Sequence, residues 1–318
     1  MLTLTILQLK LSGFVAANCV RHLNLIKNYG EHSSPLRIVI KFAAGHKPVP
    51  NNRFLTNKTK ECTEMKFDNI DNGNSFDFGK TSEAYARFRD IYPKELYDRL
   101  RELGVAADGT AWLDIGTGTG VFPKNLYNEN ADITAVDISE EQISFAKAEA
   151  DKNGWKINYL VSPAEETGLP DNSFDVITAA QCFWYLDHEK MQSEIKRLLK
   201  PDGKFIKVYL TYTLDDKIAE KSHRLVKRKN KSWTPGASGS RDMFDDLFPD
   251  RKTETFYCDI PFTRESWHGR MCACRGTLAS MDIATFADWD KRHRKILAKF
   301  PEEFTIKHKI YITYFEVK

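Results

Sequence analysis

The sequence predicts an α/β fold with a mainly parallel sheet covered by helices on both faces. Short apolar runs alternate with amphipathic stretches from residue 111 to about residue 210, which is the pattern of repeated βα units. The first run ends in a glycine cluster, "AWLDIGTGTGVF" at 111–122. The chain of 318 residues, 42% hydrophobic and 29% charged, has the composition of a globular protein with a full core.

The elements follow in order. "SEAYARFRDIYPKELYDRLRELG" carries apolar residues at 85, 88, 91, 96, 97 and 100, a helical spacing. Pro93 starts a second helix within it, and Gly104 ends that helix. "AWLDIG" is a strand and "VFPKNLYNE" opens a helix; "DITAVDIS" is a strand, followed by the helix "SEEQISFAKAEADKNG" with Ser139 as cap and Gly154 as stop. "INYLVS" and "FDVITAAQ" are strands, "HEKMQSEIKRLLK" a helix and "GKFIKVYL" another strand. Past Tyr212 the alternation stops. "LDDKIAEKSHRLVKRKNK" and "SRDMFDDLF" read as helices joined by the flexible "SWTPGASGS". "TETFYCDIPF" and "FTIKHKIYITYFEV" read as strands around helices from "RESWHGRMCACR" and "DWDKRHRKILAKF".

Charge divides the chain unevenly. Residues 1–64 hold nine Lys/Arg and three Asp/Glu, whereas the remainder holds 47 − 9 = 38 basic and 44 − 3 = 41 acidic residues. The main body is therefore mildly acidic, which argues against a broad nucleic-acid surface. Residues 1–64, without periodicity or chemistry-bearing motifs, read as a poorly ordered extension, with the ordered unit running from Met65 to residue 318. No run of 18 apolar residues is free of charge, so no membrane span is expected. Six cysteines are too few for a disulfide framework at this length, and a cytoplasmic, reducing setting is the expectation.

The glycine loop, Gly116-Thr117-Gly118-Thr119-Gly120, admits several ligands. A Walker-type phosphate loop requires GxxxxGK[ST], and no Lys-Ser/Thr follows. A dinucleotide GxGxxG fingerprint would place its third glycine at position 121, which is Val121. A glycine turn with no ligand is the remaining bland reading. Asp114, just before the loop, would repel a pyrophosphate but suits a ligand with an ammonium group and a sulfonium.

In this order of acid-x-GxGxG, a second strand ending in Asp137, and the later segments "AEETGLPDNSFDVITAAQCFWYLD" and "IKRLLKPDGKFIKVYL", the chain resembles the class I S-adenosylmethionine-dependent methyltransferases. The resemblance covers about residues 80–210 and is nearest to the small-molecule, methyltransferase type 11-like branch. That branch opens with Y-x-x-x-R-P-x-Y-P, here Tyr85, Arg89, Asp90, Tyr92 and Pro93, with Asp90 in place of a proline. The resemblance implies a Rossmann-like, seven-stranded, mostly parallel sheet with an antiparallel strand near the edge. The last two strand segments would be strands six and seven, and residues of about 213–252 a helical lid insert.

S-adenosyl-L-methionine is the implied cofactor. By resemblance, Gly116 and Gly118, with Thr117 between them, let the backbone approach its methionine part, and Gly120 opens the next helix. Asp114 would hold the ammonium group, directly or through water. Asp137 would accept both ribose hydroxyls, and Ile138 would pack on the adenine. Pro163 stands where the family often has an acid for the adenine amino group, leaving the Ala164 backbone or the Glu165 side chain for that contact. Gln181 sits where the fourth strand meets cofactor and substrate.

The acceptor pocket is assigned to Tyr85, Arg89, Trp184, Tyr185, Arg270 and Arg275; of these, Arg270 and Arg275 suit an acidic acceptor. Cys182 reads as a small buried apolar residue. No metal is expected, because zinc ligands come as CxxC with a second pair and Cys272 and Cys274 form an isolated CxC. His188 and His268 are possible bases, but no catalytic residue is assigned, since methyl transfer needs mainly alignment and a dry pocket. Without an N/D-P-P-Y/F segment after the fourth strand, an exocyclic base nitrogen is not the expected acceptor. The expectation is a methyltransferase acting on a small organic O, N or carboxylate nucleophile, as a monomer or homodimer. An NAD-type oxidoreductase and a non-catalytic S-adenosylmethionine-binding module are the alternatives.

Overall fold

The computed structural model describes residues 65–316, apart from Asn69, 236–247 and Pro249. The expected extension 1–64 and, except for Phe248, the expected helix "SRDMFDDLF" lie outside the described residues.

Seven strands form one sheet: β1 Ala111–Ile115, β2 Asp132–Asp137, β3 Ile157–Val161, β4 Phe174–Ala180, β5 Leu199–Tyr212, β6 Lys252–Thr263 and β7 Glu303–Glu316. Their order is β3-β2-β1-β4-β5-β7-β6. The first five pair in parallel, while β7 runs antiparallel to both β5 and β6. The antiparallel strand thus lies next to the edge, and the two terminal segments are strands six and seven, as expected. Successive side chains of β1 point to opposite faces: Trp112 joins a core with Ile133 and Val176, whereas Leu113 and Ile115 join one with Ile177 and Phe205.

Eight α-helices of 5 to 15 residues accompany the sheet among the described residues: α1 Ser82–Phe88, α2 Lys94–Glu102, α3 Val121–Asn125, α4 Glu140–Asn153, α5 His188–Leu198, α6 Lys217–Lys229, α7 Arg264–Cys272 and α8 Ile283–Leu297. Pro93 is the cap of α2 rather than its first residue. Ser139 caps α4 by accepting from the Gln142 N–H, and Gly154 closes it in a left-handed conformation. Met191, Ile195 and Leu198 of α5 cover one face of the sheet, and Leu96 and Leu100 of α2 the other.

The C-terminal helices are tied together at Ser222. Its hydroxyl lies 2.9 Å from Trp267 Nε1 and 2.9 Å from His293 Nε2, joining α6, α7 and α8 in a buried knot. Gly269 sets a second crossing: a Cβ there would lie 2.2 Å from the Phe88 ring, so only a glycine lets α7 approach α1 this closely. Among the described residues, no helix is long and apolar enough to cross a membrane.

Candidate functional site

The chain passes from β3 to the far side of β1 before forming β4, so a crevice opens between the carboxyl ends of β1 and β4. Parallel sheets bind ligands at such a point. A cavity of about 940 Å³ lies there, at the upper end of the range for ligand pockets and large enough for two small molecules.

Its floor is the glycine loop. Gly116, Gly118 and Gly120 have φ of +61°, +59° and +75°, values that side-chain-bearing residues adopt at a cost. A Cβ on Gly116 would lie 2.6 Å from Cys182 Sγ, and one on Gly120 would lie 2.5 Å from the Tyr159 hydroxyl. Gly120 therefore serves packing against β3, while Gly116 and Gly118 line the cavity.

At the end of β2, Asp137 Oδ2 accepts the Gly118 N–H at 2.8 Å and Oδ1 accepts the Ser139 N–H at 2.9 Å. Each oxygen keeps a further lone pair. Burial raises the Asp137 pKa, opposed by those two N–H donors. Ile138, beside it, keeps an apolar side chain 54% exposed against the cavity. Ala164 and Glu165 also line it, with Glu165 Oε1 accepting the Asp187 N–H at 2.9 Å. Gln181 sits at φ +60°, an uncommon conformation for glutamine, held by its Nε2 donating to the Leu210 carbonyl at 2.5 Å.

Asp114 behaves differently. It is 2% exposed and does not line the cavity; its Oδ1 accepts the Thr178 hydroxyl at 2.6 Å. Burial pushes its pKa up to about 7, against the bond from Thr178. Thr117 is likewise buried beneath the loop and outside the lining. Seven of the ten expected cofactor residues thus surround the cavity, and Asp114, Thr117 and Gly120 support it from below.

The other end of the cavity collects all six residues expected around the acceptor. Tyr85 stacks under the Arg89 guanidinium at 5.0 Å. Trp184 meets Tyr209 edge-on at 5.0 Å. Arg275 donates to the Tyr185 hydroxyl at 3.1 Å and pairs with Asp71, whose Oδ2 is 2.9 Å from Nε but off the line of the N–H bond. Arg270 stacks over Tyr212 at 4.8 Å.

Several lining residues carried no motif. Tyr209 and Tyr212 from the end of β5, His223 from α6, and Trp233 arrive through tertiary packing. The Tyr212 hydroxyl and His223 Nδ1 are 3.1 Å apart, and burial, then Lys227, lowers the His223 pKa. Gln142 of α4 lies 3.1 Å below the place of a Gly118 Cβ. The described residues of 65–79 form a strap at the acceptor end: Met65, Phe67 and Phe78 line the cavity, and the Asp77 N–H donates to the Ala279 carbonyl at 2.9 Å. His188 lines the cavity but stacks on Phe183, whereas His268 is bonded to His293 and Asp290 away from it. Cys274 accepts from Arg270, and Cys272 is buried.

These residues fit S-adenosylmethionine. The cradle at Gly116 and Gly118 is one a Cβ would fill, the Asp137 oxygens have acceptor capacity left beside it, and the exposed face of Ile138 offers an apolar contact.

A profile of the family described as a methyltransferase domain matches residues 113–207. An uncharacterized methyltransferase-like protein of Schizosaccharomyces pombe is 30% identical over 190 residues, covering 58% of this chain and 71% of the relative. An uncharacterized methyltransferase of Mycobacterium bovis is 33% identical over 137 residues, covering 43% of this chain and 53% of the relative. A ubiquinone biosynthesis O-methyltransferase of Bordetella avium is 28% identical over 109 residues, 33% of this chain and 44% of that protein. The chain spans about half the length of the mycobacterial relative it matches.

Proposed function

The chain belongs to the class I S-adenosylmethionine-dependent methyltransferases, and from that premise we propose that it transfers a methyl group to a small organic acceptor with an O, N or carboxylate nucleophile. The observation that carries this is the Asp137 carboxylate, fixed by the Gly118 and Ser139 N–H groups at the edge of a cavity that continues past the glycine loop into an aromatic chamber. The O-methyltransferase among the relatives supports an oxygen nucleophile.

When bound, S-adenosylmethionine supplies an electrophilic methyl on a sulfonium. The protein's own residues position and enclose. Gly116 and Gly118 admit the methionine part, Asp137 takes the ribose hydroxyls, Ile138 packs on the adenine, and Ala164 or Glu165 contacts its edge. Asp114, buried beneath the loop and uncharged more often than an exposed carboxylate at neutral pH, would act on the cofactor's ammonium group only from behind the glycine loop. Trp184, Tyr209 and the strap 65–79 exclude water from the chamber, where alignment in a dry site supplies most of the acceleration. His223, which lines the cavity, pairs with the Tyr212 hydroxyl and has its pKa lowered by burial, is our candidate to take a proton from an acceptor hydroxyl. A cytoplasmic setting fits the four cysteines described, which are all free.

The test is formation of S-adenosylhomocysteine when the full chain meets S-adenosylmethionine and a metabolite extract, with the methylated product identified by mass. Turnover lost in Asp137→Ala supports the assignment; turnover equal in the two proteins overturns it.

A further inference from the structure

The acceptor chamber contains three guanidinium groups, and they are not equivalent. Arg275 has a carboxylate partner, Asp71, and both are buried. Arg89 and Arg270 have no carboxylate at ion-pair distance among the described residues. Of the acids that line the cavity, Asp77, Asp137, Glu165 and Asp187 each accept backbone N–H groups. Arg270 is 4% exposed, its Nε has no hydrogen-bond partner, and among the described residues its guanidinium donates only to the soft acceptors Met271 Sδ and Cys274 Sγ.

The fold brings these two cations together. Phe88 packs on Gly269 at the crossing of α1 and α7, so the residues that follow, Arg89 and Arg270, reach the same corner. Both line the cavity. Both also act on the same neighbours: burial, then Arg270 and more weakly Arg89, pushes the His308 pKa down to about 3, leaving that ring neutral. Tyr85 and Tyr212 supply π faces to the pair but no counter-charge. Two like charges held together, one buried and one half-buried, without an anion are costly, and an anionic ligand entering between them would meet the shortfall.

Resting on the methyltransferase reading of this cavity, we propose that its acceptor is a small organic acid, held through its carboxylate by Arg89 and Arg270 while Trp184, Tyr209 and Tyr212 enclose its body. A guanidinium presents a planar fork of donors that matches a carboxylate. An amide of the same shape lacks the charge and is rejected.

The experiment is calorimetric titration of the full chain, first with S-adenosylhomocysteine and then, at saturation, with benzoate, cinnamate and succinate, each against its amide. At least one carboxylate is expected to bind roughly ten- to hundred-fold more tightly than its amide, the range of a charge-assisted hydrogen bond. Arg270→Met should remove that preference without changing S-adenosylhomocysteine affinity, and Arg270→Lys, which keeps charge but not the fork, should retain part of it. Arg89→Met gives the same readout should Arg270→Met fail to fold. Normal S-adenosylhomocysteine binding with no acid preferred over its amide, or a preference that survives both Arg→Met changes, overturns this inference alone. A folded chain that does not bind S-adenosylhomocysteine overturns the methyltransferase reading and this inference with it.

Discussion

Gly116 and Cys182 meet across the crevice between β1 and β4, so closely that a single added methyl group at Gly116 would lie 2.6 Å from both Cβ and Sγ of the cysteine. The Cys182 thiol also donates to the Ile115 carbonyl at 3.2 Å, pinning the last residue of β1 to the segment that follows β4. Burial, then Asp114, pushes the Cys182 pKa well above its ordinary value, so the group is a neutral thiol in this role.

Gly116→Ala is therefore expected to lower stability by about 2–4 kcal/mol, from the left-handed backbone conformation and the overlap together. Urea unfolding measures it. Cys182→Gly in the same chain removes the overlap and should recover the steric part, leaving the backbone part; no recovery would mean that Cys182 is not the obstacle.

Asp114 makes the stability pH-dependent. Its folded pKa of about 7 lies above the 3.8 of an unperturbed aspartate, so the folded state holds a proton that the unfolded chain has released. Stability is then greatest below about pH 4 as far as this group is concerned, falls as pH rises toward 7, and levels off above that. The contribution is up to about 4 kcal/mol. Asp114→Asn should flatten this part of the profile between about pH 4 and 7, measured by chemical unfolding across the range.

The Asp71–Arg275 pair ties the strap to the segment after α7, and both partners are buried, at 2% and 6% side-chain exposure. Asp71 also accepts the Thr234 N–H at 2.7 Å. Removing one charge leaves the other buried and alone, so Arg275→Met is expected to cost about 3–5 kcal/mol. Adding Asp71→Asn should return a large part of that loss. Equal losses in the single and double variants, measured by thermal or urea unfolding, would deny the coupling.

How far the sequence foretold this depends on the range over which each signal acts. The glycine loop, Asp137 and the strand ends are local features: each is set by neighbours in the chain, and the sheet order places them together. Seven of the expected cofactor residues line the cavity for that reason. Asp114 was legible as an acid beside the loop but not as a buried group bonded to Thr178, because that contact spans 64 positions. Tyr209, Tyr212, His223 and Trp233 lie in or after segments that alternate or repeat like ordinary core, and only the packing of α6 and α7 over the end of β5 turns them toward the cavity. The strap 65–79 carries no periodic pattern at all. Arg270 was legible as a candidate donor and Arg89 as a pocket residue; their shared corner is not, since Gly269 gives no sign in the sequence that Phe88 will pack on it.

The measurement that bears most directly on the whole account is calorimetric titration of S-adenosylmethionine into the full chain and into Asp137→Ala. One site per chain is expected in the parent protein, and at least tenfold weaker binding in the variant, which loses the ribose acceptor and the anchor of the Gly118 N–H. Equal affinity in a folded Asp137→Ala protein, or no binding to the parent, would contradict it.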